Sequence, residues 1–147
     1  MKLSNMICVA LLFLTTMSIA TAQSAVHNMD EAQTQVEDQG KNLLMVFSGS
    51  DWCKPCIKLK QEVLQSPDFK FYWDEHLVLL ELDFPYKKKN KLDKTQTKHN
   101  EELADRYNEE GVFPLVLLFP QSDSPIPIYH KSGGTTAEFI DQISKRL

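Results

Sequence analysis

The sequence predicts an α/β domain in which helices cover both faces of a central mixed sheet of four to five strands. Short, continuous apolar runs with the length of buried strands alternate along the chain with segments that have helical periodicity. The last two apolar runs are separated only by a short polar turn, which is typical of an antiparallel pair. The predicted order of elements is α-β-α-β-α-β-β-α.

The first helix and the first two strands are marked by capping residues and apolar runs. Asn28 or Asp30 can cap a helix that runs through about Gln39, with Gly40 as its stop residue. The apolar run 42–48 follows as the first strand. Because a helix then leads to a second apolar run at 76–84, the connection predicts that these two strands pair in parallel.

The second half of the chain adds the remaining helices and strands. Residues 66–67 (Ser-Pro) can start a helix before the second strand, and a further helix is predicted over 100–108. Its position as a crossover predicts that the third strand, 114–119, is also parallel. The fourth strand, 126–130, contains a proline that cannot donate to a ladder and therefore belongs at a sheet edge. Thr135 begins a capping box for the last helix. That helix should bury three apolar residues, Phe139, Ile143 and Leu147.

The amino-terminal segment has the features of a secretory signal peptide. Lys2 precedes an apolar run from 7 to 20, and Ala20-Thr21-Ala22 is a small-x-small cleavage pattern. The alternative is an uncleaved anchor, although the run is short for a membrane span. We expect residues 1–22 to be removed, which leaves one domain over residues 23–147. Export to a bacterial periplasm fits best, and the extracellular space is the alternative compartment.

The charge balance argues against polyanionic partners. The chain has 16 basic and 20 acidic residues, and of these only Lys2 falls in the predicted leader. This acidic balance gives no reason to expect nucleic acid or an anionic membrane as a partner. No second long apolar segment follows the leader, so we expect a soluble product. We also expect it to be a monomer.

Two cysteines remain when Cys8 leaves with the leader, and three kinds of site fit such a pair. A structural disulfide between Cys53 and Cys56 would close a very short loop and so remove little chain entropy. A structural zinc site would need two more ligands, and no histidine stands at a ligand spacing, so we expect no metal. A redox-active dithiol is the third kind.

The residues around the pair meet the demands of a redox dithiol. The attacking sulfur must be an exposed thiolate, and a helix N-terminus lowers the pKa of a thiol. Cys53 stands at the predicted helix start with Lys54 beside it, whereas Cys56 lies one turn later on the apolar stripe. Pro55 stiffens the first turn, where its missing N–H is no loss. Trp52 offers a flat apolar surface for a substrate chain.

The stretch DWCKPC, directly after a buried strand, resembles the W-C-x-P-C active site of the thioredoxin family. A second family mark is GVFPLVLLF at 111–119, where thioredoxin-like proteins carry a cis-proline that faces the dithiol. Pro114 matches that proline, and Phe113 would be the preceding residue, whose backbone pairs with an extended substrate. The alternative is a trans proline that opens a strand. The resemblance covers nearly all of 23–147 and is closest to exported domains such as those of thiol:disulfide interchange proteins. It implies the thioredoxin fold and no organic cofactor.

The chain departs from the family pattern below the dithiol. Phe47 stands where thioredoxin has a buried aspartate that helps to move protons, and the family's strand lysine has no match. The nearest acids are Asp51, Glu81 and Asp83. The redox potential of thioredoxin therefore does not transfer, although the Lys-Pro pair and the preceding tryptophan favour the reducing side.

The resulting hypothesis is an exported thiol–disulfide oxidoreductase that reduces protein disulfides. Cys53 attacks, Cys56 resolves the mixed disulfide, and Trp52, Lys54, Pro55, Phe113 and Pro114 shape the substrate groove. In an oxidising compartment a membrane electron donor would have to recharge it. The alternatives are a non-catalytic binding or chaperone module and a thiol-dependent assembly factor for a metal- or haem-binding protein.

The sequence also contains a basic run, Tyr86 to Lys91, in a segment longer than a typical connection. The ordinary interpretation is a solvated loop. The alternative hypothesis is that this segment helps to select an acidic partner.

Overall fold

The computed structural model describes residues 23–121, 124–129 and 134–147. The predicted leader, residues 1–22, lies outside these ranges, as does His130 at the end of the predicted fourth strand. Within the described ranges, no helix combines the length and the apolar character that crossing a membrane requires.

The described residues form five α-helices and four strands, which we number in chain order. They are α1 Met29–Gln39, β1 Asn42–Ser48, α2 Lys54–Leu59, α3 Pro67–His76, β2 Leu77–Asp83, α4 Lys94–Tyr107, β3 Leu115–Phe119, β4 Ile126–Pro127 and α5 Thr136–Ser144. A π-helical turn, Lys60–Leu64, continues α2, and a short 3-10 turn, Lys88–Asn90, lies between β2 and α4.

The strands form one mixed sheet in the order β2-β1-β3-β4. β1 and β2 are parallel, as expected, but β3 runs antiparallel to β1, so the parallel orientation predicted for the third strand is wrong. Ser48 pairs with Asp83 and Phe47 with Leu115, so the end of β2 and the start of β3 lie at the same end of the sheet. Long segments precede and follow α4, so the chain can pass along the helix and still begin β3 at the end of the sheet where β2 ended. The prediction that β4 lies at the edge is confirmed.

Local capping explains where the helices begin and end. Asn28 caps α1 through hydrogen bonds from two backbone N–H groups, and Gly40 ends it with a φ of 63°. The predicted capping box at Thr135 is present. α4 begins six residues earlier than expected, because Asp93 caps it at the start of a polar segment that has no apolar periodicity. Leu147 is 51 % exposed and not buried as expected, because α5 ends before it.

Two apolar clusters fill the space on opposite faces of the sheet. Successive residues of β1 alternate between them: Leu44 belongs to the cluster under α3 and α5, and Met45 to the cluster under α1 and α4. Phe69 of α3 meets Phe139 of α5 edge-on, with ring centroids 5.7 Å apart. Helices therefore cover both faces of the sheet. The carboxyl-terminal end of β1, at Ser48, leads into the loop that carries the dithiol.

Candidate active site

The two cysteines lie at the N-terminus of α2, where the chain leaves β1. A turn closes first, because the carbonyl of Gly49 accepts the backbone N–H of Cys53 at 2.9 Å. Cys53 is the N-cap residue, and its carbonyl accepts the first helical hydrogen bond from Ile57 at 3.0 Å. Pro55 falls in the first turn, where no helical N–H is lost.

Cys53 and Cys56 form a disulfide with a Cα–Cα distance of 5.3 Å. The Sγ of Cys53 also accepts the backbone N–H of Cys56 at 3.2 Å, which makes this sulfur the side-chain cap of α2. An N–H donor and the positive end of the helix dipole therefore face Cys53 Sγ, and both stabilise negative charge on it. The local geometry distinguishes the two sulfurs in this way.

Solvent exposure does not distinguish them. Cys53 was expected to be exposed and Cys56 shielded, but the residues are 4 % and 2 % exposed in the disulfide form. The expected exposure of Cys53 is therefore wrong for this form. In this form the Cys53 sulfur is bonded to Cys56 Sγ and accepts the Cys56 N–H, so it faces the N-terminus of α2.

The indole of Trp52 forms one wall beside the dithiol. It is 48 % exposed, and its Nε1 donates a hydrogen bond to the carbonyl of Phe84 at 2.7 Å. The ring meets Phe113 edge-on with a centroid distance of 5.4 Å. A Cβ placed on Gly49 would lie 2.7 Å from Cζ2 of this ring, so only glycine leaves room for it. This role of Gly49 was not predicted from the sequence, although a W-C motif three residues after a glycine is a signal for it.

Behind Trp52, aromatic rings continue into the core. Phe84 packs edge-on against Phe113 at 5.3 Å and stacks with Phe47 at 6.3 Å. Phe47 is fully buried in the apolar cluster under α1 and α4. The position that holds an aspartate in thioredoxin is therefore apolar and closely packed in this chain.

The segment before β3 brings Pro114 to the dithiol end of the sheet. The Phe113–Pro114 peptide bond is cis. Asn108 braces this segment from the end of α4: its Oδ1 accepts the N–H of Val112 at 2.8 Å and its Nδ2 donates to the Val112 carbonyl at 3.0 Å. Asn108 is buried, and its role was not predicted from the sequence.

A groove of about 390 Å³ runs between α2 and the Val112–Val116 segment. Lys54, Pro55 and Pro114 line it, so the structure brings these three predicted residues together. Trp52 and Phe113 contact each other but do not line this groove. The predicted substrate surface therefore has two parts.

The three acids noted in the sequence all hold structural contacts. Asp83 accepts hydrogen bonds from Ser50 N at 2.8 Å and from Ser50 Oγ at 2.6 Å. Glu81 pairs with Lys60 at 3.0 Å. Asp51 accepts three hydrogen bonds from the segment after β2. Within the described part of the chain, no group of three or more His, Cys, Asp or Glu side chains is placed to hold a metal ion.

The hydrogen bonds to Asp51 come from Tyr86 N at 2.9 Å, Lys87 N at 3.0 Å and Asn90 Nδ2 at 2.8 Å. Partial desolvation acts to raise the pKa of Asp51. The hydrogen bonds and the positive charge of Lys87 oppose it, and the net pKa lies below the ordinary value. The carboxylate of Asp51, which joins the loop before Trp52 to the basic run Tyr86 to Lys91, is therefore ionised at neutral pH.

A disulfide at a helix N-terminus, beside a proline-containing loop on a mixed sheet covered by helices, defines a thiol–disulfide oxidoreductase of thioredoxin fold. The chain belongs to the thioredoxin-like family, whose model matches residues 23–120. The resemblance noted in the sequence is thus confirmed at the level of the family.

Individual relatives point to disulfide exchange. The chain is 31 % identical over 132 residues to the disulfide bond reductase DsbH of Chlamydia pneumoniae, an alignment that covers 90 % of this chain and 78 % of DsbH. It is 37 % identical over 65 residues to the thioredoxin-related protein DsbJ of the same organism, which covers 43 % of this chain and 19 % of DsbJ. A solved structure of the DsbH oxidoreductase superposes with a TM-score of 0.70 at 29 % identity and covers 90 % of this chain and 92 % of that one.

Proposed function

We propose that this protein is an exported reductase of protein disulfides, with Cys53 as the nucleophile and Cys56 as the resolving cysteine. The observation that carries the assignment of roles is the N-cap position of Cys53, whose Sγ accepts the Cys56 N–H. A thiolate at that sulfur is stabilised before it attacks. Cys56 lies within the first turn, and among the hydrogen bonds of the described residues its Sγ accepts none.

The reaction moves two electrons from the dithiol to the substrate. The Cys53 thiolate attacks one sulfur of the substrate disulfide, so that the substrate S–S bond breaks and a mixed disulfide forms. The released substrate thiolate takes a proton from solvent. Cys56, deprotonated in turn, attacks Cys53 Sγ and releases the second substrate thiol. The protein is left with the Cys53–Cys56 disulfide, the form that the structure shows.

The reducing direction is supported by the likeness to a protein named as a disulfide bond reductase. Export is supported by the leader pattern in residues 1–22. In an oxidising compartment the disulfide must be returned to the dithiol before a second turnover, and a membrane electron donor is the class of partner that could do so. The groove beside Pro114 would receive the substrate chain.

Reduction of insulin disulfides by the dithiothreitol-recharged protein tests the proposal. Wild type should reduce insulin in this assay. Cys53→Ser should be inactive. Cys56→Ser, mixed with insulin after dithiothreitol has been removed, should accumulate mixed disulfides that added reductant releases. Equal rates for Cys53→Ser and wild type would favour the non-catalytic binding module.

The direction of electron flow needs a separate measurement. Equilibration with glutathione buffers gives the reduction potential of the Cys53–Cys56 pair. A value near that of thioredoxin, about −270 mV, is expected for a reductase, whereas a value near about −120 mV would assign the protein as an oxidant.

A further inference from the structure

Positive charge is concentrated in one stretch beside the dithiol. Residues 86–98, which we call the basic segment, carry a single acid, Asp93, and six lysines: Lys87, Lys88, Lys89, Lys91, Lys94 and Lys98. The other residues of 23–147 include nine basic and nineteen acidic side chains. An acidic molecule would therefore be repelled by most of this protein and attracted to the basic segment.

These lysines are available to a partner. All six are exposed. Of these six lysines, only Lys98 forms an ion pair within the described part of the chain, with Glu102 at 3.5 Å. The single acid, Asp93, is occupied as the N-cap of α4, where its Oδ1 accepts the N–H of Gln96.

The basic segment is joined to the active-site loop. Asp51 accepts hydrogen bonds from Tyr86, Lys87 and Asn90, and the Trp52 indole donates to the carbonyl that precedes the segment by two residues. Since Asp51 and Trp52 directly precede Cys53, these hydrogen bonds hold the start of the basic segment against the loop that leads to the dithiol. Tyr86 is 81 % exposed and adds an aromatic surface at the same place.

A recess lies between residues 83–92 and the first turns of α4. It has a volume of about 530 Å³ and an apolar part formed by Phe84, Pro85 and Leu92. Three of the lysines, Lys91, Lys94 and Lys98, line the same recess together with two acids, Asp83 and Glu101. The carboxylate of Asp83 is already occupied by two hydrogen bonds from Ser50. A chain segment with acidic side chains next to an apolar one would match this combination of charge and shape.

We propose that the basic segment and its recess form a docking surface for an acidic segment of the protein whose disulfide is reduced. The inference rests on the proposed function, since it names the class of substrate that the same dithiol serves. An acidic tract close to the target disulfide would be drawn to the basic segment and would place the disulfide beside Cys53. Electrostatic attraction of this kind acts mainly on the association rate and weakens with salt.

Two synthetic peptides that differ only in charge test the inference. Both contain the same intramolecular disulfide, which is flanked by aspartates in one peptide and by serines in the other. Stopped-flow mixing with the reduced protein gives the second-order rate constants. Neutral 2-hydroxyethyl disulfide reports the intrinsic reactivity of the dithiol.

The test variant is Lys87→Glu/Lys88→Glu/Lys89→Glu, which reverses three exposed charges outside the catalytic machinery. The matched control is Lys70→Glu/Lys145→Glu/Arg146→Glu, which changes the net charge equally at positions on α3 and after α5. Replacing the same three lysines of the basic segment by glutamine gives a milder second variant in case charge reversal disturbs folding.

Wild type should reduce the aspartate peptide faster than the serine peptide at low ionic strength. Charge reversal in the basic segment should slow the aspartate peptide by about 10-fold or more, and the glutamine variant should slow it less. The control variant and the neutral disulfide should change by less than about twofold. At about 0.5 M salt the preference should nearly disappear, because the Debye length falls to about 4 Å.

Equal rates for the two peptides with wild type, or an equal loss in the control variant, would overturn the inference. Loss of binding to phosphatidylglycerol vesicles on charge reversal, with peptide rates unchanged, would assign the surface to a membrane and would also overturn it. None of these outcomes affects the proposed function, which fails if Cys53→Ser remains active or if the reduction potential of the Cys53–Cys56 pair lies near about −120 mV.

Discussion

Asn108 should couple the stability of the domain to the shape of the substrate groove. Its side chain makes two hydrogen bonds to the backbone of Val112, and Val112 and Pro114 line the groove. Asn108→Ala removes both bonds, each worth about 0.5–1.5 kcal/mol. Val112 is 46 % exposed, so water can replace part of the loss. We expect a destabilisation of about 1–2 kcal/mol.

Denaturant and thermal unfolding of the oxidised protein measure this change. For a domain of about 125 residues, 1–2 kcal/mol corresponds to a fall in Tm of about 4–8 °C. The matched control is Asn42→Ala, which removes one hydrogen bond to Gln121 N at the opposite end of β1 from the dithiol. It should lower stability by about 1 kcal/mol or less.

The kinetic consequence separates a positioning role from a purely structural one. In Asn108→Ala the loop that carries Pro114 loses its brace, so reduction of a peptide disulfide should slow by about threefold or more. The rate with 2-hydroxyethyl disulfide, which does not need the groove, should stay within about twofold, and Asn42→Ala should change neither rate. Unchanged stability in Asn108→Ala, or an equal fall of both rates, would refute the reasoning.

Two further predictions concern the loop before Cys53. Gly49→Ala should displace the Trp52 indole, because the added Cβ overlaps the ring, and should lower the free energy of unfolding by about 1–3 kcal/mol. Denaturant unfolding measures the loss of stability, and the tryptophan emission maximum reports the displacement. An unshifted emission maximum would contradict the prediction. The lowered pKa of Asp51 means that its contribution to stability is present in full above pH about 4, the ordinary value, and is lost as the pH falls through the lower folded-state value. The stability difference between wild type and Asp51→Asn should therefore be present at pH 7 and vanish in stronger acid; a difference that grows with acid would exclude this role.

The local elements follow from the sequence where one signal dominates. β1 has the predicted limits because its apolar run is continuous, and α1 begins and ends at its caps. The start of α4 was missed because its first residues are polar on every side and Asp93 alone marks it. The predicted direction of β3 is wrong. The sequence of a connecting helix does not show whether the next strand starts at the same end of the sheet as the previous one ended or at the opposite end.

The sequence by itself determined the chemistry of this protein. The chemistry is set by local features: two cysteines stand three residues apart, and a helix begins between them. Hydrogen bonds between residues three or four positions apart are sufficient to create the capped sulfur of Cys53. Only the tertiary structure decided what surrounds that chemistry. Asp51 meets the basic segment 35 to 39 residues later in the chain, and Trp52 meets Phe84 and Phe113. Such contacts depend on the order and direction of the strands, which bring distant residues to one end of the sheet and which no local period encodes.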